Sequence, residues 1–264
     1  MATFSDIMTR GMVFYDEEYL SECKEFCRIR DIHYLPHIHS NNLCYFYDRN
    51  TGNFKKQQIR ERQTVDYDDP IFDTNLINDF GNFQVLFVIK SKRIVGIVHM
   101  SDYNRGPVYD YLYKKLFLLE KGLVHLIIQF SGLRKRELYK FLDKSLPESE
   151  AGKSLSQKDF RGKGISLKTV LELVHAYELV KIREADIHKI IAVRNKIAHS
   201  DQLVPQSAQD PMQFSSSAFS HLVHGVNSLE VALRQVGNRL YFMQGTLDGD
   251  FSGSVMPLED YLYL

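Results

Sequence analysis

Two hydrophobic periodicities divide this chain. Up to residue 112, short aromatic and β-branched runs alternate with polar turns, which predicts strands over 32–36, 43–47, 84–89 and 94–98. Helical patterns over 17–28 and 75–80 precede the two strand pairs. The order helix, strand, hairpin, strand, helix occurs twice with a period of about 50 residues, the mark of an internal duplication. From Leu112 onward the pattern is helical. Leu112, Leu116, Leu119, Leu123, Leu126, Phe130 and Leu133 recur at spacings of four and three and predict a core-facing seam. Polar loops are expected at 147–154 and 205–217, an amphipathic helix over 219–240, and a loop at 245–254. Tyr261 and Leu264 could dock the end of the chain back onto the core. The expected class is α+β, with an α/β part over 1–112 and an all-α bundle over 113–264.

One helix breaks its own pattern. Over 187–200 the apolar stripe is Ile187, Ile190, Ile191, Ile197 and Ala198, and Arg194 falls near its centre. A guanidinium cannot lose its proton, so it needs an anionic partner or a wet groove there. Asn195 and His199 are four apart and neighbour each other on the flank of the helix. A permanent cation, an amide and an imidazole suit the binding and cleavage of a phosphodiester. A structural ion pair at Arg194 and a helix cap at His199 are the alternative.

Composition narrows the picture slightly. The chain has 264 residues, 44% hydrophobic and 25% charged, ordinary values for a globular protein. Lys and Arg total 33 and balance 33 Asp and Glu, so any RNA-binding surface must be local. The basic segment Lys158, Arg161, Lys163 and Lys168 ahead of the Arg194 helix is such a candidate. Gly152-Lys153-Ser154 is not a P-loop, because Pro147 stands where the first glycine is required. Cys23 and Cys27 are i,i+4, and with Cys44 they read as buried thiols in a reducing compartment. His221 and His224 are i,i+3 but lack a carboxylate motif, so no metal is expected. The absence of a signal-peptide core, and of any apolar run near 18 residues, predicts a cytoplasmic protein without a membrane span.

The residues around Arg194 carry one resemblance. Arg194-Asn195-Lys196-Ile197-Ala198-His199 after an isoleucine-rich helix resembles the Arg-x4–6-His signature of HEPN ribonucleases. Ile165-Ser166-Leu167-Lys168-Thr169-Val170-Leu171-Glu172-Leu173 is similar to an earlier helix entry of that all-helical family. The resemblance implies metal-independent cleavage of single-stranded RNA, with catalytic Arg194, Asn195 and His199 and no cofactor. RNA supplies its own 2′-hydroxyl nucleophile. His199 would transfer protons and Arg194 would hold the phosphate. The two lie five residues apart, roughly 140° round one helix. They converge only if two chains face each other, so a homodimer is expected.

The first part carries a second resemblance. Val85-Leu86-Phe87-Val88-Ile89, then Arg93-Ile94-Val95-Gly96-Ile97-Val98-His99-Met100-Ser101-Asp102-Tyr103, resembles the strand, hairpin, strand and phosphate-ribose signature of CBS domains. Asp102 matches the ribose-binding acid. His99 stands where Thr or Ser is usual, and Ser101 is displaced by two positions. In the first half Tyr47 and Asn50 stand at the Thr and Asp positions and Cys44 at the Gly. A tandem CBS pair implies an adenine nucleotide as regulatory ligand, held by Asp102, His99, Ser101, Tyr47 and Asn50. Ser101-Asp102 as a plain helix cap is the alternative. Taken together, the expectation is a CBS pair fused to a HEPN bundle, a nucleotide-regulated ribonuclease of prokaryotic defence or stress response. A non-catalytic nucleotide-sensing dimerisation module and a HEPN toxin restrained by a separate antitoxin are the other readings.

Overall fold

The structure, a computed structural model, describes residues 2–30, 32–83, 85–131, 180–208 and 213–248. It is mixed α+β, with small sheets and helices in the N-terminal part and helices in the C-terminal part. The chain divides into two compact units, 1–111 with 202–223 and 112–201 with 224–264. The predicted loop at 147–154, the basic segment 158–168, the run 165–173 and the docking residues Tyr261 and Leu264 lie outside the described residues, whereas the loop predicted at 245–254 starts too early, since the last helix continues to Asp248.

The first unit opens with α1 (Phe4–Ile7), a 3₁₀ turn (Glu17–Tyr19) and α2 (Leu20–Arg30). Then come β1 (Tyr34–His37), β2 (Ser40–Asp48) and β3 (Asn53–Gln58). They form an antiparallel sheet in the order β1-β2-β3. The second half of the unit holds β4 (Thr64–Asp66), α3 (Asn75–Asn82), β5 (Val85–Lys90) and β6 (Arg93–His99). β5 lies between β4, to which it is parallel, and β6, to which it is antiparallel. Val85, Leu86, Phe87 and Val88 are all buried, as a central strand covered on both faces requires.

The two halves share a connectivity. In the second, β4 leads through α3 to parallel β5 and antiparallel β6. In the first, a parallel bridge joins Tyr15 to His37, α2 intervenes, and β1 pairs antiparallel with β2. The first half then departs from the expected duplication. No helix closes it; the polar run Asn53-Phe54-Lys55-Lys56-Gln57-Gln58 forms β3 instead, with every residue but Phe54 exposed. An edge strand with no covering face needs no alternating apolar side chains, and its lysines guard the edge.

A 3₁₀ turn (Met100–Asn104) leads from β6 into α4 (Gly106–Ser131). The segment 202–223, expected in the helical bundle, belongs to the first unit. Its reason is local. Asn104 and Val204 exchange hydrogen bonds of 2.8 and 2.9 Å. Phe219 meets the rings of Tyr103 and Phe80 edge-on at 4.8 and 5.1 Å. Such buried aromatic pairs hold the segment by area and by ring geometry.

The second unit contains the rest of α4, then α5 (Glu184–Ala198) and the later part of α6 (Ser216–Asp248). Leu112, Leu116, Leu119, Leu123 and Leu126 are buried, as their spacing predicts. The buried face of α5 differs from the predicted stripe. It consists of Asp186, Ile187, Ile190 and Val193, whereas Ile191 and Ile197 are half-buried and Ala198 is exposed. α5 approaches α6 closely at Gly225, where a Cβ would lie 2.5 Å from Val193 Cγ2 and 3.2 Å from the Lys189 carbonyl oxygen. Among the described residues no helix is long and apolar enough to cross a membrane.

Candidate functional site

The end of α5 presents the Arg-Asn-x-x-x-His residues. Asp186 anchors the start of that helix. It accepts from Arg183 Nε at 2.6 Å and from Ser228 Oγ at 2.9 Å, and Lys189 Nζ lies 3.5 Å away. The Arg183 hydrogen bond, with help from Ser228 and the two cations, holds its carboxyl below the usual carboxylate range despite burial. The sequence reading passed over Asp186, because an acid in a first turn already has a role beside the helix dipole.

Eight residues further along, Arg194 is half-buried and its Nη1 donates to Asn195 Oδ1 at 3.3 Å. Its field reaches Glu120 of α4. Burial raises the Glu120 carboxyl above its ordinary value, and Arg194 opposes the rise. Asn195 is exposed. His199 caps the helix through its backbone, its N–H donating to the Asn195 carbonyl at 3.0 Å, and the residue is exposed. Ser200 follows at φ 55°, the left-handed turn that ends many helices. Lys196, between them, has its ammonium pKa lowered by burial, with Asp201 opposing. The motif thus combines a half-buried guanidinium with an imidazole open to solvent.

The second set of expected residues is dispersed. His99, Ser101 and Asp102 form one closed turn. His99 precedes the 3₁₀ turn, and its Nδ1 accepts from the Ser101 N–H at 3.2 Å and meets Ser101 Oγ at 2.9 Å. The Asp102 carboxylate accepts from the His99 N–H at 2.8 Å and pairs with Arg105 Nη2 at 2.7 Å. This is a capping box, the alternative the sequence left open. Burial raises the Asp102 carboxyl, with the His99 N–H and Arg105 opposing. Tyr47 is buried in a cluster with Tyr15, Cys23, Cys27, Leu35 and Tyr45. Asn50 is exposed at the β2–β3 turn, its N–H donating to Asp48 Oδ1 at 3.0 Å. Neither Tyr47 nor Asn50 lines the cavity that holds the other three.

That cavity lies within the first unit and has a volume of about 960 Å³. Its walls include His99, Ser101 and Asp102, joined by Arg30, His33, Phe46 and Arg105, which the sequence reading did not select. Phe214 also lines it and meets the His99 ring edge-on at 5.2 Å. Burial and the neighbouring His33 lower the His99 imidazole pKa. The three cysteines are buried and free, and burial pushes Cys27 up to about 12 and Cys44 to about 11, so these two are poor nucleophiles. Among the described residues no group of three or more His, Cys, Asp or Glu is placed to hold a metal. Comparison with protein-family models, with curated proteins and with solved structures finds no match to this chain.

Proposed function

We propose that the protein is a metal-independent endoribonuclease of the HEPN type that cuts single-stranded RNA, with a CBS-like nucleotide-binding pair regulating it. Arg194, Asn195 and His199 are its catalytic residues. The observation that carries this reading is the end of α5, where an imidazole open to solvent follows a guanidinium–amide pair within one and a half turns. RNA needs an acid, a base and a phosphate clamp but no added nucleophile. Histidine titrates in the useful range, and an arginine can follow charge onto the pentavalent phosphate.

The Arg194-to-His199 spacing supports a homodimer in which the arginine of one chain works with the histidine of the other. The repeated strand–helix–strand–hairpin connectivity and the cavity beside His99 and Asp102 support a nucleotide-binding pair. Its expected ligand is an adenine nucleotide. The role of prokaryotic defence or stress response rests on the resemblance alone.

A second reading has its own observation. Glu120 lies within the field of Arg194, as it would in a structural ion pair. The protein would then be a non-catalytic nucleotide-sensing dimer. Labelled single-stranded RNA incubated in EDTA separates the two. The ribonuclease reading requires cleavage with 2′,3′-cyclic phosphate ends that His199→Ala abolishes. Activity that survives His199→Ala but stops with EDTA overturns it.

A further inference from the structure

We propose that Tyr113 and Phe117, on the outer face of α4, form a stacking platform for the bases of single-stranded RNA, with Lys114 and Lys121 meeting its phosphates. This rests on the ribonuclease reading and names where the substrate strand lies.

The exposure of the two rings is the first observation. α4 buries Leu112, Leu116, Leu119 and Leu123 on its core side. On the opposite side it leaves Tyr113 65% and Phe117 44% exposed. A single exposed apolar side chain is ordinary, but two large rings one turn apart make a contiguous patch that suits a binding partner. Four residues advance the helix by about 6 Å, so the rings stand as successive steps along it. An aromatic face accepts any base by stacking, because every base has a flat face of its own.

Charge selects the occupant. Lys121 Nζ lies 4.8 Å from the centre of the Phe117 ring, and Lys121 is exposed. Lys114 is exposed as well, and it stands three residues before Phe117 and seven before Lys121, on the same face. Lys115 is turned away and pairs with Glu230 at 3.4 Å. The acid exposed on this face, Asp110, stands one turn before Tyr113. Two cations against one acid, beside bare rings, favour a polyanion with flat bases over an identical face of a second copy.

The platform also points toward the motif. Glu120 follows Phe117 by three residues and Tyr113 by seven, so it continues their stripe along α4. Arg194 of α5 is near enough for its charge to act on the Glu120 carboxyl. A strand with bases on Tyr113 and Phe117 would thus carry its next phosphates toward Arg194.

The test is fluorescence anisotropy of the full chain with labelled 2′-O-methyl oligoadenylate and oligouridylate. These lack the 2′-hydroxyl nucleophile and stay intact. An abasic strand of equal length and charge is the control. Both base-bearing strands should bind more tightly than the abasic one. Tyr113→Ala and Phe117→Ala should each weaken them about fivefold or more and leave the abasic strand unaffected. Tyr113→Phe should keep the affinity, which separates loss of a ring from loss of the fold. Lys114→Gln and Lys121→Gln should each reduce the slope of log K against log salt by about 0.7. Absence of binding, equal binding of the abasic strand, or wild-type affinity in both alanine variants overturns the proposal. So does a dimer that the alanine variants dissociate, seen by sedimentation, while RNA affinity holds; the face would then join two copies. Stacking without any cleavage of RNA in EDTA would uphold the platform and sink the ribonuclease reading. His199-dependent cleavage with RNA binding unchanged in the alanine variants would do the reverse.

Discussion

Asp102 and Asp186 occupy equivalent stations in different units. Each is buried, each is the third residue of a helical turn, and each pairs with an arginine three residues away. Their carboxyl groups nevertheless shift in opposite directions. At Asp186 the 2.6 Å bond from Arg183 outweighs burial, and Ser228 and Lys189 add to it. At Asp102 burial outweighs the His99 N–H and an arginine shared with Ile7 and Thr9. The sign follows the balance of burial against donors: Asp102 is the more deeply desolvated carboxyl, and Asp186 the better supplied with donors. The surroundings differ in the same way. Around Asp102 the histidine and arginine of the turn are bound into the cap. Around Asp186 the local charges are satisfied at the start of α5, and Arg194 and His199 stand apart at its other end.

The largest expected effect breaks or upholds that division of labour. If the far end of α5 is free for chemistry, His199→Ala and Arg194→Ala should each lower RNA cleavage by about 10²–10⁴. Circular dichroism should show the fold retained. Gly225→Ala comes next, since it presses a methyl against Val193 and the Lys189 backbone on α5. Overpacking of this kind costs about 1–3 kcal/mol, readable by urea denaturation. Asp186→Ala should cost a similar or smaller amount, because it leaves the buried Ser228 hydroxyl without its 2.9 Å partner.

The finest distinction is in pH dependence. Asp186 has a lowered pKa, so its contribution is present above the unfolded value and is lost as pH falls through the folded one. Asp102 has a raised pKa, so the folded state holds that proton more tightly. Between the unfolded value and the raised one, its contribution falls as pH rises. Asp186→Asn should thus reduce acid-side loss of stability, and Asp102→Asn should remove a slope of opposite sign. Equal slopes in the two variants would break the comparison.

These particulars show what the sequence could reveal. The Val85–Val88 run, the hairpin to β6 and the leucine seam of α4 were legible because burial imposes a period on apolar residues. β3 was not, because an exposed edge strand of Asn, Lys and Gln carries no such period. The α5 face was displaced because Val193, not Ile191 or Ile197, turns inward, and because a buried Asp186 stands where an apolar residue was expected. At the candidate sites, Arg194 was legible as an exception to its stripe. The cavity was not, since Arg30, His33, Arg105 and Phe214 meet only after the two halves and the 202–223 segment pack together. Tyr47 matched a motif position by spacing, yet its ring lies in the β-sheet core.

Complementation tests the central claim most directly. An Arg194→Ala chain keeps its histidine, and a His199→Ala chain keeps its arginine. Equal mixing, followed by subunit exchange, should produce heterodimers with one intact composite site each. RNA cleavage in EDTA should then recover to about a quarter of the wild-type rate, since random pairing makes half the dimers mixed and restores one of their two sites. Heterodimers that form and remain as inactive as the two separate variants would contradict a composite Arg194–His199 site.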